Sequence, residues 1–266
     1  MNAILIVSIL FLSPFISGIS VLSVKRDRST FLKLILSFSG AYLFGLTILH
    51  LIPHVYADAS EHMDTIGLYI LGGFLFQLLL EHFSQGVEHG HIHMKKENIN
   101  SFPLAIMLSL CVHAFLEGMP LVSAQRQHLV FGIAIHHIPA AFALGSLLLA
   151  SQVSKRTLLI AIFVFAMMTP AGFVTSQFIS QHAVGDLAQY FDKIMAVVIG
   201  IFLHISTTIL FESGSADHHV FNKKKMIAVL LGIVLSLRSL IFGGHDHSIL
   251  NMITIITNHI TNIKKS

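Results

Sequence analysis

Cysteine is nearly missing from this chain. Its single example, Cys111, excludes a disulfide framework and any metal site built from several thiolates. Charge is scarce as well: 11% of the 266 residues are Asp, Glu, Lys or Arg, against about 25% in a soluble domain. No segment reads as a separate soluble domain, and the net charge of +3 is too small to point to nucleic acid. The start of the chain, Met1-Asn2-Ala3-Ile4, lacks the basic residues of a secretory signal. The apolar run behind it is longer than a typical signal core, so it reads as a retained helix. No His-Glu-x-x-His pattern occurs, which removes the usual helical zinc-hydrolase signature.

What is abundant is apolar length, with 54% hydrophobic residues. About 20 apolar residues cross a bilayer as a helix. Eight runs qualify, at roughly 3–24, 31–55, 66–87, 101–122, 129–150, 158–180, 190–212 and 225–243. The pattern predicts an all-α membrane protein, with eight transmembrane helices in one bundle over residues 1–247. Lys and Arg accumulate in cytoplasmic loops. Lys25, Arg26 and Arg28 fall in the first loop, with Lys33 just inside the second run. Lys95 and Lys96 fall in the third loop, Lys155 and Arg156 in the fifth, and Lys223, Lys224 and Lys225 in the seventh. The even loops hold only Arg126 and Lys193, and the second carries Asp58, Glu61 and Asp64. Both termini are therefore expected outside the cell (inner or plasma) membrane. In the tail, 248–266, Ile249, Met252, Ile253, Ile256, Ile260 and Ile263 recur at near-helical spacing, as in an amphipathic helix on the outer surface.

Histidine is the second abundance: eighteen residues, against sixteen Lys plus Arg. It is a common metal ligand near neutral pH. Two stretches carry it deep in apolar runs, His113-Ala114-Phe115-Leu116-Glu117-Gly118 and His136-His137-Ile138-Pro139-Ala140-Ala141. His113 and Glu117 are four apart and share a helix face. Pro120 and Pro139 each remove a backbone donor and are expected to bend their helices. Ionisable groups at membrane depth are costly and mark ion pathways. His113, Glu117, His136 and His137 match the nitrogen and oxygen ligand set of Zn²⁺; the alternative is that each imidazole bonds a carbonyl on a neighbouring helix.

A second tier comprises His50 and His54 around Pro53, and the stripe His204, Thr208, Glu212, as entry and exit waypoints or interhelical hydrogen bonds. Glu81 and His82 fall near a span end, where side chains reach water. His89, His91, His93, His218, His219, His245 and His247 form short loop tracts able to capture metal weakly, or simply to be solvated.

Gly45-Leu46-Thr47-Ile48-Leu49-His50 in the second run resembles Gly200-Ile201-Phe202-Leu203-His204 in the seventh. Such pairs suggest inverted halves around a midplane site, a 3+2+3 arrangement.

At these residues the chain resembles the ZIP family of divalent-metal transporters. The carriers of the likeness are His113-Ala-Phe-Leu-Glu117-Gly118, His136-His137-Ile-Pro139 and Phe44-Gly-Leu-Thr-Ile-Leu-His50-Leu-Ile-Pro53. The resemblance implies Zn²⁺, or Cd²⁺ or Fe²⁺, moving into the cytoplasm by an elevator-like or rocking motion, and it allows a homodimer. The family often holds two adjacent metals bridged by carboxylates. This chain has Ala114 where the family usually has Asn. It has His137, Ala140 and Ala141 where acidic residues or His are frequent, and Thr169 before Pro170 where some members carry a carboxylate. The expectation is therefore one bound ion. A metal-sensing or metal-binding membrane protein, an intramembrane metalloenzyme and a carrier of organic substrates are the readings that compete with transport.

Overall fold

In lipid a backbone must satisfy its polar groups within its own segment, which leaves long apolar runs the helix. The computed structural model describes residues 2–23, 29–58, 63–84, 102–122, 126–182, 188–215 and 223–243. Among these residues nine α-helices follow one another and there is no strand. They are α1 (Ala3–Ser20), α2 (Ser29–Leu46), α3 (Ile52–Asp58), α4 (Met63–Ser84), α5 (Leu104–Gly118), α6 (Arg126–Ala150), α7 (Lys155–His182), α8 (Ala188–Ser215) and α9 (Lys223–Gly243). Seven stretches among the described residues are long and apolar enough to cross a membrane, and they coincide with the first seven predicted runs. α9 covers the eighth run; it opens on Lys223, Lys224 and Lys225 and carries Arg238, and it is not among those seven. The tail 248–266 lies outside the described residues.

The prolines act in two ways. Pro53 cannot bond the carbonyl of Leu49, and there the second span is not one α-helix. A π-helical turn, Thr47–Leu51, joins α2 to α3 and takes in one extra residue. Pro120 sits in a 3₁₀ turn, Met119–Val122, so it ends α5 rather than bending its interior. α6 and α7, by contrast, run unbroken through Pro139 and Pro170. Ser17 Oγ donates to the carbonyl of Ile138, 2.6 Å away, and so ties α1 to the proline segment of α6.

Outward faces are apolar, as lipid requires: Leu68, Leu71, Leu75 and Leu79 of α4 are all exposed. Inward faces carry small residues where backbones nearly touch. α4 packs on α8, α2 on α9, α1 on α6 and on α7, and α5 on α7. At Gly73 a Cβ would collide with the carbonyl of Val197, and at Gly200 with that of Ile70. The same close approach joins Gly118 to Thr169 and Gly172 to Phe115, which press α5 against α7. The backbones of α5 and α6 approach at few points. Polar side chains occupy the space between them.

Candidate metal centre

α5 and α6 each deliver their polar groups to that space. His113 and Glu117 are one turn apart on α5, and His136 and His137 are adjacent on α6. All four are buried, none more than 2% exposed. One ligand atom each from His113, Glu117 and His136 comes within 4.8 Å of the others. The rings of His113 and His136 meet edge to face with centroids 6.0 Å apart.

His137 plays a different part in this arrangement. Its Nε2 is 2.5 Å from Glu117 Oε2, and its Nδ1 is 3.3 Å from Thr169 Oγ1 on α7. A carboxylate only accepts, so Nε2 carries the proton and the Thr169 hydroxyl donates to Nδ1. Both ring nitrogens are thereby engaged, and His137 holds Glu117 in place. The other carboxylate oxygen, Oε1, lies 3.4 Å from His113 Nε2. Neither of those two atoms makes a hydrogen bond among the described residues. An imidazole nitrogen and a carboxylate oxygen in this state cost free energy unless something binds them.

His113 is oriented from a third helix. Its Nδ1 lies 3.1 Å from Oε1 of the buried Gln77 on α4. The amide oxygen accepts, so Nδ1 is protonated and Nε2 presents its lone pair to Glu117 and His136. Sequence reasoning missed Gln77, although a signal was there. It is the one polar residue in Leu75-Phe76-Gln77-Leu78-Leu79-Leu80, and an amide at that depth must find a partner.

The second-tier residues separate into different places. His50 falls in the π turn, where its ring stacks on His128 of α6 at 6.1 Å and bonds the backbone of Ser236. His54 of α3 lines a cavity of about 150 Å³ with Met119, Pro120, Asp192 and Met195. That cavity adjoins the 3₁₀ turn that begins two residues after Glu117. His204 does not act along its own helix alone: its Nε2 is 2.5 Å from Glu81 Oε2 on α4. Glu81 thus turns inward to a partner, whereas His82 is exposed, as its position near a span end suggests. Thr208 is half-buried, and the side chain of Glu212 lies outside the described residues. His89, His91, His93, His218, His219, His245 and His247 also lie outside them.

Long lipid-facing helices closed around a buried imidazole and carboxylate cluster define an integral membrane protein of the metal-handling kind. The sequence model of the family described as ZIP Zinc transporter matches residues 87–238, more than half of the chain, and the chain belongs to that family. It is similar to Zinc transporter ZIP9 of Micropogonias undulatus, with 27% identity over 203 residues covering 68% of this chain and 65% of that protein. Against Zinc transporter ZIP9 of Xenopus tropicalis the identity is 26% over 210 residues, 71% of this chain and 69% of that protein. Protein zntD of Dictyostelium discoideum is 28% identical over 139 residues, 46% of this chain and 20% of that protein. The chain thus spans 65% to 69% of the length of these ZIP9 relatives.

Proposed function

We propose that the protein carries a divalent transition metal, chiefly Zn²⁺, across its membrane into the cytoplasm through the cluster between α5 and α6. The observation that carries this reading is the convergence of His113, Glu117 and His136 within 4.8 Å at full burial. His136, His113 Nε2 and Glu117 Oε1 are the first ligands. His137 and Gln77 hold them, and His137 becomes a ligand if it gives up Glu117. One carboxylate and three imidazoles suffice for one tetrahedral ion and are too few for two. Membership of a family described as zinc transporters supports the choice of ion.

An eight-span, 3+2+3 inverted repeat fits the packing. Exchange α1 with α7, α2 and α3 with α8, α4 with α9, and α5 with α6. The α4–α8 contact then becomes α9–α2, the α1–α6 contact becomes α7–α5, and α1–α7 and α2–α8 map onto themselves; these are the most extensive helix pairs observed. The glycines follow the same rule. Gly200 against α4 corresponds to Gly45 against Ser236 of α9, and Gly73 against α8 to Gly232 against Phe38 of α2. Gly118 against α7 corresponds to Gly145 against Gly18 of α1. The π turn also accounts for the register, since His50 follows Gly45 by one residue more than His204 follows Gly200. The α2–α6 and α4–α5 contacts, which have no comparably close α8–α5 and α9–α6 counterparts, are the main departures.

Reconstitution into liposomes tests the reading. Zinc is expected to enter vesicles bearing the wild-type chain and to be excluded by vesicles bearing Glu117→Gln. Stoichiometric binding with no movement of ions would replace transport with storage or sensing. Equal uptake by the two proteins would remove the cluster from the path.

A further inference from the structure

The polar face of α4 carries two residues one turn apart, and both do the same thing. Gln77 accepts from the imidazole of His113 on α5, and Glu81 accepts from the imidazole of His204 on α8. In each case the distal ring nitrogen is left buried with no hydrogen bond among the described residues: Nε2 of His113 and Nδ1 of His204. An acceptor that fixes one nitrogen, raises the basicity of the ring and aims the other nitrogen is the arrangement that supports metal-binding histidines. At His113 that nitrogen belongs to the central cluster. At His204 it lies outside the central cluster.

We propose that His204, oriented by Glu81, is a second metal-binding station that takes a borderline divalent cation such as Zn²⁺ through Nδ1, with water completing the coordination. A purely structural pair is the plain alternative. Glu81 and His204 would then serve to join α4 to α8. That junction is already made by backbone contact, Gly73 on Val197 and Gly200 on Ile70. Neighbouring helices in lipid gain little from an added ionisable pair, and burying one is costly. Phe74 closes one side of the ring, edge to face at 4.8 Å, so the imidazole has a fixed attitude.

Position suits a waypoint. α4 runs from Gln77 through Glu81 to its end at Ser84, beyond which the sequence carries His89, His91 and His93. The central ligands are at most 2% exposed, whereas the side chains of His204 and Glu81 are 5% and 21% exposed. An ion leaving the centre along α4 therefore meets one protein nitrogen in place of several ligands, beside a carboxylate that is partly exposed, and is held more loosely. Only this ordering rests on the transport reading above; the binding of an ion at His204 does not.

Crystals of the full chain in lipid, soaked with Zn²⁺ and measured at the zinc edge, test the station by position. The expected result is an anomalous peak about 2.0–2.1 Å from His204 Nδ1, with Glu81 still on Nε2. His204→Ala should abolish that peak. Glu81→Gln, which keeps an acceptor, should retain it. Glu81→Leu should weaken zinc binding at the station about 10–100-fold. Absence of zinc at His204 overturns the proposal, whatever the central cluster holds. A peak between Nε2 and Glu81 overturns the orienting role, as does full occupancy in Glu81→Leu. Zinc at His204 with none at His113, Glu117 and His136 upholds the station and sinks the central transport site.

Discussion

Two proton placements organise the centre. Because Glu117 accepts from His137 and Gln77 accepts from His113, one carboxylate oxygen and one imidazole nitrogen face each other with no hydrogen bond. Gln77→Leu removes the acceptor while keeping the volume, and the ring of His113 is free to turn. Zinc affinity, measured by equilibrium dialysis of the purified protein, should fall about 10–100-fold. Ligand imidazoles must be neutral, so protons compete with the metal. Uptake should therefore decline as the medium is acidified. A profile that stays flat down to pH 5 would contradict imidazole ligation. An imidazole-rich set also disfavours oxygen-seeking ions. Cadmium should compete with zinc for uptake, and millimolar magnesium should not. Thr169 brings no charge to the centre; its hydroxyl holds His137.

At the scale of elements, small residues decide which helices meet. Gly73 and Gly200 let α4 and α8 cross with carbonyls where side chains would normally stand. Adding one methyl group there forces the helices apart. Gly200→Ala should cost about 1–3 kcal/mol by overpacking, read as a lowered melting temperature in detergent. It should also disturb the Glu81–His204 pair, which sits one turn further along α8. Gly72 is the internal control, because a Cβ there meets nothing. Gly72→Ala should be neutral or slightly stabilising, since alanine is the better helix former. A larger loss at Gly72 than at Gly200 would contradict this account of the packing.

For the molecule as a whole, loop charge predicts an orientation, and burial makes it testable. The native Cys111 is 9% exposed, which gives a quiet background for labelling. Gln181, exposed at the end of α7, and Ser154, exposed between α6 and α7, are expected on opposite sides. In intact cells Gln181→Cys should react with an impermeant thiol reagent, and Ser154→Cys should not. The reverse pattern would invert both the topology and the direction of transport.

The sequence by itself determined the first seven spans, the loop charge that predicts orientation, and the residues that could bind metal. Hydropathy over about 20 residues is a local quantity, and an ionisable group inside it stands out without any fold. His113, Glu117, His136 and His137 were legible for that reason. What lay beyond its reach was pairing. Helical spacing sets His204 in line with Thr208 and Glu212, but the residue that bonds it, Glu81, is 123 positions away on α4. Spacing likewise treats His137 as the equal of His136, yet only the packing of α5 and α7 around α6 sets His137 between Glu117 and Thr169. Which nitrogen of an imidazole is free depends on what stands behind it, and that is settled by the neighbouring helix.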